Sequence, residues 1–191
     1  MSDAQGDGLV SDVRFASGDD PSGAPEGSDV SDVSRKDPPI LVSACLAGLA
    51  TTHSGVAKPN RKVMELVRQG RAILVCPEQL GGLPTPRPAA EIVGEASGAS
   101  VLDGEGRVVN TSGEDVTANY LRGAREALKA ARLAGSKVAI LKARSPSCGK
   151  DRIHDGTFSG VLRDGSGVTA ELLRREGLEI LSEDDLEGRD L

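Results

Sequence analysis

The chain has 191 residues, 38% hydrophobic and 27% charged, which suits one domain with room for a core. Aromatic content is only 2% with no Trp, so the core must come from Val, Leu, Ile and Ala, and no row of rings exists for stacking a nucleic-acid strand. The net charge of −6 lies in the first 37 residues, which leaves Pro38 to Leu191 formally neutral, without the basic surplus that phosphate contacts need.

Residues 1–37 are rich in Ser, Gly, Asp and Pro, with nine acidic side chains against three basic ones. Such a composition buries too little apolar surface to offset its ordering entropy, so a disordered solubilising tail is expected, or else an arm that binds a partner. No apolar run approaches the ~18 residues that cross a bilayer, and no basic-then-apolar secretory pattern opens the chain. Three cysteines, 31 and 72 residues apart, are too few and too scattered for a secreted disulfide framework. A cytoplasmic, reducing setting with no membrane partner is expected.

From Pro38 to Leu191 apolar runs alternate with amphipathic stretches. Ile40–Ala44 reads as a buried strand that ends at Cys45, followed by a polar loop over residues 48–58. A short helix with Pro59 in its first turn and Gly70 as its stop presents Val63, Leu66 and Val67. Ala72–Val75 is a second strand, ending at Cys76. Pro77 stops that strand and opens a restricted loop containing Glu78, Gly81, Gly82 and the prolines that flank Arg87. Between Val101 and Val109 the pairs Asp103-Gly104 and Glu105-Gly106 predict a hairpin. The longest helix spans about Asp115–Leu133, with Tyr120, Ala124, Ala127, Leu128 and Ala131 on one apolar stripe. A third strand, Val138–Leu141, precedes Cys148, and Gly156–Leu162 reads as a glycine-rich turn. Thr169 is expected to cap a last helix before a final strand, Leu178–Leu181. This order predicts a single α/β domain over 38–191, a mostly parallel Rossmann-like sheet with helices on both faces.

In open parallel sheets ligands collect at the carboxyl ends of the strands, where all three cysteines fall. Buried cysteine is often only a small hydrophobe, but these three stand beside Pro or Gly in polar loops. No Cys-x-x-Cys knuckle exists, so the set suits a metal centre with an open position: zinc, copper(I) or an iron–sulfur cluster. Glu78 reads as an acid–base group or as a loop carboxylate paired with Arg87. Arg87 reads equally as a substrate-orienting group or a loop anchor. Ser145 reads as a hydroxyl that holds a ring or a water, or as a turn former before proline. His53 and His154 are the only histidines, candidates for a fourth ligand or an acid, or simply solvated.

Three motifs occur in order: Leu41-Val42-Ser43-Ala44-Cys45-Leu46-Ala47-Gly48; Cys76-Pro77-Glu78 with Gly81-Gly82-Leu83-Pro84-Thr85-Pro86-Arg87; and Ser145-Pro146-Ser147-Cys148-Gly149 with Asp155-Gly156-Thr157-Phe158-Ser159-Gly160. Together they resemble a bacterial family, long catalogued as a domain of unknown function, that includes the 2-thiouracil desulfidases. The resemblance implies a [4Fe-4S] cluster held by Cys45, Cys76 and Cys148, with Glu78 and Ser145 in the chemistry. It implies conversion of 2-thiouracil to uracil plus hydrogen sulfide without net redox. Arg87 and Ser147 are expected to contact the substrate, a small thiolated nucleobase; no nucleic-acid partner is expected. The chain departs from the family pattern at Thr52-His53-Ser54-Gly55, where relatives commonly carry Arg-Tyr-Asp-Gly, and at Ala89, where another proline is usual. The competing reading is a non-catalytic metal-binding or redox-sensing protein using the same thiols.

Overall fold

The computed structural model describes residues 37–189, so the expectation of a disordered tail over 1–37 falls, Asp37 apart, outside the described residues. Strand β1 (Ile40–Ser43) runs directly into a turn of 3-10 helix, Ala44–Ala47. Helix α1 (Arg61–Arg68) begins at Asn60, whose Oδ1 accepts the N–H groups of Lys62 at 3.0 Å and Val63 at 3.3 Å. Pro59 therefore stands just ahead of the helix rather than in its first turn, because Asn60 satisfies two otherwise orphaned donors. Strand β2 (Ala72–Val75) is followed at once by a one-turn helix α2 (Pro77–Leu80), with the proline at its first position.

The hairpin expected between Val101 and Val109 does not form. Strand β3 (Ala90–Ile92) pairs instead with β4 (Val108–Asn110), antiparallel, with helix α3 (Gly98–Leu102) between them. Three tertiary features override the turn signal. Ser97 and Ser100 cap the helix reciprocally, Gly98 packs on the Gly167 backbone, and Val101 is fully buried with Ile92 and Val108. Gly104 then supplies the positive φ of 83° just after the helix end, not the bend of a hairpin.

Helix α4 (Thr117–Ala134) ends at left-handed Gly135 and leads into β5 (Val138–Leu141). Strands β6 (Arg152–His154) and β7 (Leu162–Asp164) form a hairpin around the glycine-rich segment. Helix α5 (Val168–Arg175), strand β8 (Glu179–Ser182) and a 3-10 turn (Glu183–Leu186) complete the chain. Gly167, not Thr169, stands at the start of α5; the Thr169 hydroxyl is bonded to Ser147 instead.

The main sheet has the order β2-β1-β5-β8, and every pair is parallel. Strand residues alternate between two faces. Leu41, Ala139, Leu141 and Ile180 pack with α4 and α5, whereas Ile40, Val42, Ile140 and Leu181 pack with Val63 and Leu66 of α1. Helices thus cover both faces, as expected, and the strands read as near-continuous apolar runs because both sides are buried. The chain leaves β1 in one direction to reach β2 and returns past it to β5, so the loops diverge between the carboxyl ends of β1 and β5. That switch point is where a crevice opens in such sheets. Among the described residues, no helix is long and apolar enough to cross a membrane.

Helix α4 holds the turn after Cys76 by direct backbone approach. The Gly81 carbonyl accepts from Asn119 Nδ2 at 2.9 Å and from Arg122 Nε at 3.0 Å. A Cβ on Gly81 would lie 2.2 Å from the Asn119 carbonyl oxygen, and one on Gly123 would lie 1.9 Å from that of Pro77. In a free helix Gly→Ala gains about 1 kcal/mol, but overpacking here costs about 1–3 kcal/mol. We expect Gly123→Ala to lower the thermal midpoint, at about 2–4 °C per kcal/mol of net loss for a chain of this size. A midpoint at or above that of the unaltered protein would show that α2 yields freely to α4.

Candidate active site

Three parallel strands deliver the three cysteines to one cavity. Cys45 sits in the 3-10 turn after β1, Cys76 directly follows β2 and starts α2, and Cys148 follows β5 by a short loop. All three are free thiols, and all three line one cavity of about 600 Å³ together with Glu78, Tyr120 and Ser145. Small-molecule sites commonly enclose ~300–1,000 Å³.

Ser43, buried at the end of β1, fixes the switch point: its hydroxyl accepts the Lys142 N–H at 3.0 Å and donates to Cys148 Sγ at 3.4 Å. The Cys76 thiol donates to the Thr51 carbonyl at 3.5 Å. Burial pushes the Cys45 thiol up to about 11, with the Cys76 charge adding to the effect and Lys142 opposing it. Burial also pushes the Cys148 thiol well above its ordinary value, against the hydrogen bond from Ser43. Lys142 lines the cavity and is itself paired with Glu183, whose other oxygen accepts the Ala143 N–H at 2.7 Å.

The loop carrying Cys148 is held from behind by helix α5. The first amide groups of that helix donate to loop carbonyls, Val168 to Pro146 at 2.9 Å and Thr169 to Ser147 at 2.8 Å, and Gly167 donates to Gly149 at 2.8 Å. Ser145 Oγ accepts the N–H groups of Ser147 and Cys148, each at 3.1 Å. With both lone pairs taken, its hydroxyl is left as a donor facing the cavity. Ser147 is a correction to the sequence reading. It is 1% exposed, its hydroxyl is shared with Thr169 at 2.9 Å, and it is absent from the cavity wall, because the loop turns its side chain toward α5.

Glu78 and Arg87 form an ion pair, Oε2 to Nε at 2.6 Å, with side chains 14% and 4% exposed. The guanidinium also donates to the Pro84 carbonyl at 3.1 Å, to Thr85 Oγ1 at 3.0 Å and to the Thr51 carbonyl at 3.1 Å. Burial opposes its charge, but Glu78 outweighs that effect and holds Arg87 protonated. Of the two roles open from sequence, this is the geometry of an anchor. Tyr120, the only tyrosine, lines the cavity together with Glu78; burial pushes its phenol far up, with the Glu78 charge adding to the effect, so the hydroxyl keeps its proton. Sequence reasoning placed Tyr120 on the apolar stripe of α4 and missed this polar end, and it also missed Ser43, Lys142 and Glu91. A lone Ser inside an apolar strand was the available signal for Ser43.

The 2-thiouracil desulfurase family matches this sequence over residues 40–185. The chain belongs to that family. It is 46% identical over 147 residues to the YbbK protein of Bacillus subtilis (strain 168), covering 77% of this chain and 97% of that one. The solved structure of TudS, described as a [4Fe-4S]-dependent thiouracil desulfidase, is 45% identical and superposes with a TM-score of 0.70, covering 78% of this chain and 93% of that one. Every residue that lines the cavity, from Ser43 to Gly160, falls inside the stretch matched by the desulfurase family.

Both histidines lie on the cavity wall: His53 is exposed, and His154 Nδ1 is buried without a hydrogen-bond partner among the described residues. Among those residues, no three His, Cys, Asp or Glu side chains meet closely enough to hold a single metal ion. The ion pair makes the sharpest test of the wall's construction. Arg87→Met leaves a buried carboxylate without its cation, and we expect a loss of about 3–5 kcal/mol in urea unfolding. Adding Glu78→Gln should recover part of that loss, since the stranded charge is removed. Strictly additive losses would show that the two side chains do not act as a pair.

Proposed function

We propose that this desulfurase converts 2-thiouracil, or a closely related thiolated pyrimidine, to uracil and hydrogen sulfide, using a [4Fe-4S] cluster held by Cys45, Cys76 and Cys148. The observation that carries the reading is the convergence of three thiols from three strand ends on one cavity with Glu78 and Ser145. The donor set fits such a group. Its ligands are soft, and all three line one shared cavity, which suits a cluster held through three thiolates. With only three protein ligands, a bound cluster supplies one open iron as a Lewis acid matched to a soft thiocarbonyl sulfur.

The residues of the chain do the rest. Water supplies the oxygen: a C–O bond forms, the C–S bond breaks, and sulfur leaves as hydrosulfide, with no electrons gained or lost. Glu78 is the proton acceptor for that water, its carboxylate aimed by Arg87 Nε, with the protonated phenol of Tyr120 on the same wall. Arg87 and Tyr120 are therefore positioning residues, acting through Glu78. Ser145, able only to donate, faces charge that develops on the substrate. Three free thiols of this kind suit a reducing compartment, and we place the protein in the cytoplasm.

Iron content, visible absorption and sulfide release, measured on the same anaerobic preparations, test this division. Cys148→Ser should lose iron and activity together, since a neutral hydroxyl is a poor ligand for iron. Glu78→Gln should keep the absorption spectrum and lose about 10²-fold or more in turnover. Tyr120→Phe should keep the cluster and lose kcat rather than raise KM. A fully loaded Glu78→Gln protein with full turnover would remove Glu78 from the mechanism. A loaded, unaltered protein that releases no sulfide would favour the sensor reading.

A further inference from the structure

The segment Asp155–Gly160 at the tip of the β6–β7 hairpin has a construction that packing does not explain. Phe158 has φ of 59°, a left-handed conformation that a bulky residue rarely adopts. The residue is 39% exposed and lines the cavity, so it gains little from burial. Glu91, only 7% exposed, accepts the N–H groups of Gly156 at 2.9 Å and Phe158 at 3.0 Å on one carboxylate oxygen. The tip is braced further within itself. Thr157 donates to Asp155 Oδ1 through its amide at 3.0 Å and its hydroxyl at 2.6 Å, and the Asp155 N–H returns to the Val161 carbonyl at 3.0 Å. Gly156 lets this tip press against β3, where a Cβ would stand 2.6 Å from the Ile92 carbonyl oxygen.

A strained backbone, a buried carboxylate spent on two amides and an exposed ring are each unfavourable alone. Together they hold one flat apolar surface at the rim of the cavity, and strain of this kind gathers where a surface must be held ready for a ligand. Phe158 and Tyr120 are the only Phe or Tyr among the described residues, and Tyr120 is almost fully buried, which leaves Phe158 as the exposed ring. We propose that Phe158, pinned by Glu91, is the stacking face for the planar ring of the substrate and sets the preference of the site for aromatic over saturated heterocycles. This inference rests on the desulfidase reading and adds a specificity-determining residue to it.

The test uses the anaerobically loaded enzyme, with uracil and 5,6-dihydrouracil as ligands. They carry the same polar groups, but only the first has a flat aromatic ring. Stacking of a base on an aromatic side chain contributes about 1–3 kcal/mol, equivalent to about 5- to 150-fold in affinity. By calorimetry, Phe158→Leu should weaken uracil binding about tenfold and leave dihydrouracil little changed, which erases the preference. Phe158→Tyr, which keeps the π-face, should restore it. In sulfide release from 2-thiouracil, the loss in Phe158→Leu should fall on KM rather than kcat. If Phe158→Leu binds uracil as tightly as the unaltered enzyme, or loses both ligands equally, stacking is overturned while the desulfidase reading stands. If the unaltered enzyme binds no pyrimidine and releases no sulfide, that reading falls and takes this inference with it.

Discussion

A carboxylate and a guanidinium 2.6 Å apart, almost shut off from solvent, are the constraint on which the wall of the site depends. Withdrawing both charges from water costs several kcal/mol per ion, and an apolar pair of similar volume would serve stability as well or better. What the pair provides is placement. Arg87 draws in the Pro84 carbonyl, the Thr85 hydroxyl and the Thr51 carbonyl around Glu78, so three chain segments are fixed by one side chain. Those acceptors are also what make a buried guanidinium tolerable, because an unsatisfied charged donor would be far more costly than the pair is favourable. A carboxylate fixed in this way beside three thiols is more than the packing of a core requires.

The same economy runs along the edge of the sheet. Each cysteine-bearing segment is held by its backbone from the rear, which leaves its side chain to face the cavity. Helix α5 donates its first amides to the carbonyls of the Cys148 loop, and helix α4 bonds the Gly81 carbonyl behind Cys76. Helix starts have free N–H groups in any case, so using them on a loop satisfies both partners at once. Ser43 links the first and third of the segments directly, from Lys142 N–H through its hydroxyl to Cys148 Sγ. The thiol positions are therefore set by the sheet and its helices rather than by any loop acting alone.

The parts that were legible in the sequence are those governed by local chemistry. Four apolar runs became the four parallel strands because strands buried on both faces cannot hide their composition. The convergence of Cys45, Cys76 and Cys148 followed from strand direction, since two stand just after a strand of a parallel sheet and the third follows its strand by a short loop. What was not legible depended on partners distant in sequence. Asp103-Gly104 looked like a hairpin turn until Gly98 met Gly167 and Val101 met Ile92, contacts that no window of neighbouring residues contains. Ser147 looked as available as Ser145, and only the path of α5 decides which of the two hydroxyls faces the cavity. Tyr120 matched the apolar period of its helix, so its place on the cavity wall with Glu78 gave no separate signal.

The rim follows a different rule from the floor. Residues 51–53 are tied to the site through backbone atoms. Arg87 Nη2 holds the Thr51 carbonyl, and the Arg87 amide donates to the His53 carbonyl at 2.8 Å. Thr52 spends its hydroxyl locally, donating to the Val56 carbonyl at 2.6 Å and accepting the Val56 N–H at 2.9 Å. Carbonyl oxygens are present whatever the side chain, so exchange at His53 changes what the rim presents without loosening its backbone support, whereas exchange at Thr52 would remove the brace to Val56. The three cysteines differ, because what each presents to the cavity is its side chain. Their positions are held by the sheet and its helices, whereas what His53 presents at the rim can change at little cost to that support.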